Sequence, residues 1–82
     1  MKMKIKIQVF AALKDYLDPQ FYLELQDGTT ANEVRSQLLT EYPMAENILR
    51  KSKLAVNDCF VEGTYTLKDN EHLLIIPPSS GG

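Results

Sequence analysis

The segment from Met3 to Phe10 reads MKIKIQVF, in which Ile5, Ile7 and Val9 alternate with polar residues. Successive side chains of a strand point to opposite faces, so this alternation places one apolar face on a core and one polar face toward solvent. The segment therefore predicts the first strand of a sheet with one buried face.

A second strand is predicted beyond the turn signal Asp18-Pro19. Its alternating apolar residues are Phe21, Leu23 and Leu25, and the pair Asp27-Gly28 ends it. The two segments are close in the chain and share the same period. We expect them to form a hairpin.

A helix is indicated after this hairpin. Thr30 and Glu33 have the spacing of a capping box, in which each side chain bonds a backbone N–H left free at a helix start. Apolar residues then recur at helical spacing, at Ala31, Val34, Leu38 and Tyr42. Pro43 limits the helix because it disfavours α geometry in the residue before it. A second short helix is predicted from Met44 to Leu49.

Three further strands are predicted in the second half of the chain. Leu54–Val56 and Cys59–Val61 flank Asn57-Asp58, a pair that tolerates left-handed backbone geometry, and form a short hairpin. Asp69-Asn70 marks another turn before a final strand, His72–Ile76. Two prolines follow that strand and end it, because neither can donate a hydrogen bond to a sheet ladder.

This order of elements predicts an α+β fold with a mixed sheet and one main helix packed across it. To close so small a core, the last strand has to pair alongside the first. The order resembles the ubiquitin-like β-grasp. The folded domain is expected to span residues 1–76, and residues 77–82 are expected to form a flexible C-terminal Gly-Gly tail.

Composition restricts the classes of function. The chain has 82 residues, nine Lys and Arg against eleven Asp and Glu, and a net charge of −2, which argues against nucleic-acid binding. The alternating lysines at positions 2, 4 and 6 fit a solvated strand face. No segment approaches the roughly 20 apolar residues of a membrane span, and a single cysteine suits a reducing compartment. We expect a cytoplasmic protein without a membrane partner.

The residues that usually carry catalysis are scarce. Cys59 lies in a predicted strand and is interpreted as a small packed residue, and His72 is interpreted as structural. A zinc site needs three or four ligands, and this pair supplies at most two. Gly28 and Gly63 stand alone, so no glycine-rich loop is present to hold a phosphate. No metal or bound cofactor is predicted.

The last four residues, Ser79-Ser80-Gly81-Gly82, are too small to contribute a packed core. Together with the two prolines before them they could reach about 20 Å when extended. Because glycine has no Cβ, a Gly-Gly end can pass through a narrow channel and present the Gly82 carboxylate to a buried site in another protein. A loose terminus without function is the alternative.

The ending Ile76-Pro77-Pro78-Ser79-Ser80-Gly81-Gly82 resembles that of the molybdopterin synthase small-subunit (MoaD) family of sulfur carriers. In that family an apolar residue and Pro-Pro lead through two variable positions into Gly-Gly. The similarity covers essentially the whole chain and includes Val9-Phe10-Ala11 with Leu13, the Val56-Asn57 turn and Leu67-Lys68-Asp69-Asn70-Glu71. The chain departs from the pattern at Ser79, where many members carry valine, and at Asn70, where glycine is frequent.

The resemblance implies a function in molybdenum cofactor biosynthesis. An adenylating enzyme related to ubiquitin-activating enzymes would use ATP to activate Gly82. Sulfur from a sulfur donor protein would then displace AMP and leave a C-terminal thiocarboxylate. Insertion of the tail, including Gly81, into the large subunit of molybdopterin synthase would deliver sulfur to the cyclic pterin precursor. The chain would be a non-catalytic subunit without a cofactor of its own, in an assembly of two small and two large subunits.

A partner is expected on one sheet face. Phe10 is an aromatic residue on the polar side of the first strand, and apolar residues occupy both faces of the last strand. By the resemblance, Phe10, Phe60 and Ile76 align with partner-facing positions. Pro77 and Pro78 complete the predicted interface. The alternative is that a small sheet leaves some apolar surface exposed without any partner.

Three other functions fit the same sequence. A thiamine-type sulfur carrier would use the same tail on another acceptor, although such carriers usually have less chain between the helix and the last hairpin. A ubiquitin-like modifier would form isopeptide bonds to lysines of target proteins. A plain interaction module would have an inert tail, and truncating that tail would then change nothing.

Overall fold

The computed structural model describes residues 2–78, which form five strands in one mixed sheet. The strands run in the spatial order β2-β1-β5-β3-β4. Their bounds are β1 Lys2–Val9, β2 Gln20–Gln26, β3 Lys53–Val56, β4 Cys59–Val61 and β5 His72–Ile76.

The pairing of the two ends of the chain creates the centre of the sheet. β1 is antiparallel to β2, with Ile5 opposite Leu23, as the hairpin prediction requires. β1 is also parallel to β5, with Ile7 opposite Leu73. The expectation that the last strand lies beside the first is thus confirmed. β5 pairs on its other side with β3, which forms the second hairpin with β4.

The main helix, α1, spans Ala31–Glu41 and begins with the predicted capping box. The backbone N–H of Glu33 donates to the Thr30 hydroxyl at 3.2 Å, and the Thr30 N–H donates to the Glu33 carboxylate at 2.9 Å. At the other end the Tyr42 N–H donates to the Leu38 carbonyl, directly before Pro43. The helix therefore starts and stops where its sequence signals predict.

A second helix, α2 (Glu46–Lys51), follows a 3-10 turn at Pro43–Ala45. Arg35 of α1 donates from Nη1 to the Ser52 carbonyl at 2.9 Å, so its side chain links α1 to the end of α2. Leu49 of α2 is fully buried. The helical layer thus has two helices, and the predicted short one contributes to the core. No helix within residues 2–78 is long and apolar enough to cross a membrane.

The core lies between the helical layer and one face of the sheet. Burying each large aliphatic side chain contributes roughly 1.5–3 kcal/mol relative to leaving it exposed. The largest fully buried side chains are Ile5, Ile7, Val9, Leu13, Val34, Leu38, Leu49, Leu73 and Ile75. These include three of the four odd positions of β1 and both odd positions of β5, as the period of two predicts, and the fourth, Met3, is only 2% exposed.

Among residues 2–78, four residues other than glycine have a positive φ. Asn57 and Asp58, with φ of 52° and 68°, form the tight turn between β3 and β4 in the left-handed geometry that their sequence predicts. Asn70 has φ of 70° in the turn before β5. Ala11, at φ 52°, begins a 3-10 turn, Ala11–Asp15, directly after β1.

Candidate functional site

The sheet face that points away from the helices has an apolar centre, which we call the outer patch: Ala55, Phe60, Leu74 and Ile76. Ala55 lies opposite Phe60 on one side and opposite Leu74 on the other. Phe60 is 67% exposed, whereas Ala55 beneath it is only 3% exposed. Together with Asp58 these residues line a shallow depression of about 220 Å³. An exposed aromatic side chain above an apolar floor is a suitable contact for a protein partner.

Phe10 lies beside this patch. It follows the last residue of β1 and is half-buried. It lines a second depression, of about 330 Å³, whose lining also includes Leu74 and Asp58 of the first. The structure therefore places Phe10, Phe60 and Ile76 around Leu74, although they come from three distant parts of the chain.

The base of the tail lies next to the outer patch along the chain but borders a different groove. Pro77 follows Ile76 directly and is half-buried, and Pro78 is exposed. The groove has a volume of about 590 Å³ and lies between the 3-10 turn and α2, lined by Ala11, Ala12, Asn47, Ile48, Lys51, Pro77 and Pro78. The two prolines are thus not part of the outer patch itself. Gly81 and Gly82 lie outside the described residues.

His72 is half-buried on the same outer face, across from Lys6 in the sheet register. Its Nε2 atom is buried and has no hydrogen-bond partner among the described residues. Burial lowers the pKa of the imidazole, and the nearby positive charge of Lys6 lowers it further, while Asp58 opposes the shift. His72 therefore adds no full positive charge to this face at neutral pH.

Cys59 does not occupy the position that the sequence suggested. Its interpretation as a small packed residue is wrong, because the residue is exposed. It lies in the three-residue edge strand β4, where nothing among the described residues covers it. Within residues 2–78 there is also no group of three or more His, Cys, Asp or Glu side chains that could hold a metal ion.

One residue of the outer patch, Ala55, was missed by sequence reasoning. β3 reads Leu54-Ala55-Val56, and all three residues are buried although they alternate between the two faces of the sheet. Such a continuous apolar run is typical of a strand covered on both sides, so it was the available signal. Leu74 gave a similar signal as an apolar residue on the second face of the last strand.

The topology defines the class of protein. A five-stranded mixed sheet with parallel first and last strands at its centre, crossed on one face by a helix, is the ubiquitin-like β-grasp. The chain belongs to the ThiS family, whose profile matches residues 7–82 and so includes Gly82.

Two relatives cover this chain almost end to end. The molybdopterin synthase sulfur carrier subunit of Dictyostelium discoideum is 36% identical over 87 residues, covering 100% of both chains. The protein of the same name from Chlamydomonas reinhardtii is 30% identical over 84 residues, covering 98% of this chain and 100% of its own. Both relatives therefore align with this chain over nearly the whole length of each partner.

Solved structures agree on the fold. The small archaeal modifier protein 1 of Methanosarcina acetivorans matches with a TM-score of 0.78 and 22% identity, covering 100% of this chain and 99% of its own. One chain from a complex of subunits 1 and 2 of the molybdopterin-converting factor of Helicobacter pylori matches with a TM-score of 0.70 and 23% identity, covering 98% of this chain and 100% of its own. At these identities the likeness concerns the β-grasp fold alone.

Proposed function

We propose that this chain is the sulfur carrier subunit of a molybdopterin synthase and that it carries sulfur as a thiocarboxylate on Gly82. The observation that carries the proposal is the course of β5, the central strand that ends in Ile76 of the outer patch and runs directly into Pro77-Pro78. A docking surface and the start of the tail are thus adjacent. Family membership and the names of the two relatives support the same function.

Activation of the tail requires another enzyme. A carboxylate is a poor electrophile, so an ATP-dependent adenylating enzyme would join Gly82 to AMP and release pyrophosphate. A donor protein would then deliver sulfur at the oxidation level of sulfide. Its attack on the carbonyl carbon forms the C–S bond and breaks the C–O bond to AMP, which leaves with the electron pair. No oxidant or reductant is consumed in this exchange.

Sulfur transfer would take place in the large subunit of the synthase. Docking of the outer patch would bring the tail to the partner's active site, and Gly81 and Gly82 would enter it because they lack side chains. The tether gives the thiocarboxylate a high effective concentration against the cyclic pterin precursor. Attack by the sulfur on a carbon of the precursor would form a C–S bond and expel an oxygen substituent from that carbon. Hydrolysis of the acyl–sulfur bond by water would then return Gly82 to a carboxylate and leave the sulfur on the pterin. Two such transfers would build the dithiolene.

The division of labour explains why this chain offers so few catalytic groups. The groups that bind the pterin and transfer protons would belong to the large subunit, and ATP would bind only to the activating enzyme, in the cytoplasm. The H. pylori structure similar in fold is a complex of two subunits of this kind. We propose an assembly of two small and two large subunits, which sedimentation of the purified mixture would test.

The decisive experiment is the intact mass of the chain after incubation with ATP, a sulfur donor and the adenylating enzyme. We expect one oxygen to be replaced by sulfur, with fragmentation placing the change on Gly82. The truncated chain that lacks Gly81 and Gly82 should gain no sulfur. Ser79→Val is a matched control that alters the tail without shortening it, and this variant should be converted like the wild type.

The molecule that receives the sulfur, or the tail itself, distinguishes the proposed function from a thiamine-type carrier and from a protein modifier. Conversion of the cyclic pterin precursor by the loaded chain and the large subunit would support the proposal. If the loaded chain donated sulfur only to a thiamine precursor, the chain would be a thiamine-type carrier and the proposal would be wrong. Thiol-resistant conjugates in a cell extract, with an unchanged mass of the free chain, would replace it with the protein modifier.

A further inference from the structure

Charge is strongly segregated between the two sides of this domain. The outward-facing strand positions carry one carboxylate, Glu24, and four lysines, Lys2, Lys4, Lys6 and Lys53. These strand positions carry a net charge of +3, and Asp58, which lines the outer patch, reduces the charge of the face to +2. The remaining five Lys and Arg residues stand against nine Asp and Glu residues, a balance of −4 that accounts for the total of −2. A slightly acidic protein thus presents one basic face.

Within the described residues, the lysine side chains of this face form no ion pair. No ion pair of Lys2, Lys4 or Lys6 occurs among residues 2–78, even though Glu24 lies directly across from Lys4 in the sheet register. Instead, the Lys4 Nζ atom lies 5.0 Å from the centroid of the Tyr22 ring. Contacts of this kind leave the positive charge available to a partner.

The basic positions and the outer patch form one continuous surface. Lys6 is across from His72, and two residues further along the same strands Gln8 is across from Leu74 of the patch. On the opposite side Lys53 is across from Ile76. Positive charge therefore borders the apolar centre along both flanks.

We infer that this face docks a protein surface in which an apolar projection is flanked by carboxylates, and that the occupant is the large subunit of the synthase. The inference rests on the proposed function and adds the chemistry of the partner. The apolar centre provides affinity, whereas the bordering lysines accelerate the encounter and fix its orientation. A nucleic acid is a poorer occupant, because the centre of the face is apolar and the rest of the domain repels phosphate.

The test is the association rate constant of the full chain with the large subunit, measured by stopped flow at roughly 0.01 M and roughly 1 M NaCl, where the Debye length is about 30 Å and about 3 Å. At low salt the variant K4E/K6E should associate at least about tenfold more slowly than the wild type. The variant K4Q/K6Q, which cannot introduce repulsion against Glu24, should lie between the two. At high salt all the rate constants should converge.

A matched control carries the same change of net charge on the helical layer. The variant K14E/R50E should lower the association rate much less than K4E/K6E does. Equal slowing by both pairs would overturn the inference, since the total charge would then be responsible. Intact binding with unchanged rates for K4E/K6E would overturn it too, while leaving the carrier function in place.

Two further outcomes concern the partner. Failure of the wild-type chain to form any complex with the large subunit would overturn both the proposed function and this inference. If the wild type and K14E/R50E bound a labelled single-stranded DNA and K4E/K6E did not, the partner of this face would be a nucleic acid and not an acidic protein. A fluorescence anisotropy titration at low salt provides that readout.

Discussion

The Nζ atom of Lys53 lies 5.3 Å from the centroid of the Phe60 ring, on the face of the sheet that points away from the helices. The ring is largely exposed, whereas Ala55, directly across from Phe60 in the sheet register, is buried. An aromatic residue in such a position is suited to insert into a pocket of a partner. This arrangement leads to the first prediction.

Replacing Phe60 with alanine should weaken binding to the large subunit by about 2 kcal/mol or more, roughly a 30-fold rise in Kd. The free energy of unfolding should change by less than about 0.5 kcal/mol, because the ring is largely exposed in the free chain. Calorimetric titration and urea denaturation measure the two quantities. Met44→Ala removes an even more exposed side chain, 82% accessible, from the helical layer and should leave the Kd unchanged. Equal effects of the two variants would contradict the placement of the interface.

Ala11 has a left-handed backbone at φ 52°, which an alanine adopts only at a cost. The variant Ala11→Gly should therefore raise the free energy of unfolding by roughly 1 kcal/mol. Ala12 is the matched control, because it lies in the same 3-10 turn without a positive φ. Ala12→Gly should lower the stability by roughly 0.5–1 kcal/mol. Urea denaturation of the two variants should thus give changes of opposite sign.

The capping box should make Thr30 the more important of two helical threonines. Thr30→Ala removes the acceptor for the Glu33 N–H, and we expect a loss of about 1 kcal/mol in the free energy of unfolding. Thr40 donates only to the Ser36 carbonyl within the helix, so Thr40→Ala should be neutral or slightly stabilising. Similar losses from both substitutions, measured by thermal denaturation, would argue against the cap.

The lowered pKa of His72 predicts a loss of stability in mild acid. The unfolded chain takes up a proton near pH 6.5, the ordinary pKa, while the folded chain resists protonation. The contribution of His72 to the free energy of unfolding is therefore complete above about pH 6.5. It decreases as the pH falls from there to the pKa that His72 has in the folded chain. Urea denaturation over this range should show the decrease in the wild type.

The variant His72→Gln provides the control for that prediction, because it cannot titrate. Its stability should be flat in the same window, before the carboxylates begin to protonate. Asp58→Asn removes the negative charge that opposes the lowering of the His72 pKa, so this pKa should fall further. The loss of stability seen in the wild type should then continue to lower pH in this variant. Parallel profiles for the wild type and His72→Gln would show that another group is responsible.

Much of the fold follows from local sequence patterns. The alternation around Ile5 and Ile7, the capping box at Thr30 and the left-handed turn at Asn57-Asp58 all appear in the structure where the sequence predicts them. Each of these features depends on residues within a few positions of one another. Steric limits and the pairing of nearby backbone groups then suffice to specify them.

The site depends more on contacts between distant residues. Cys59 was expected to be packed because its strand neighbours are apolar, but its exposure is decided by the position of β4 at the sheet edge. The alternation places Phe10 in the first strand, yet this residue lies just past the end of β1, at the start of a 3-10 turn. A local sequence pattern does not show which distant segments of the chain lie next to a strand in the folded protein.

Local patterns in the amino-acid sequence suffice to predict the strands and the capped helix, and the resemblance of its ending to a known family makes Gly82 the expected reactive group. The shared surface of Phe60, Leu74 and Ile76, and the lysines of β1 that border it, arise from the three-dimensional fold. The reason is the parallel pairing of β1 with β5, which joins the two ends of the chain. A surface formed in this way depends on long-range register, and the side-chain periods of the separate segments do not encode it.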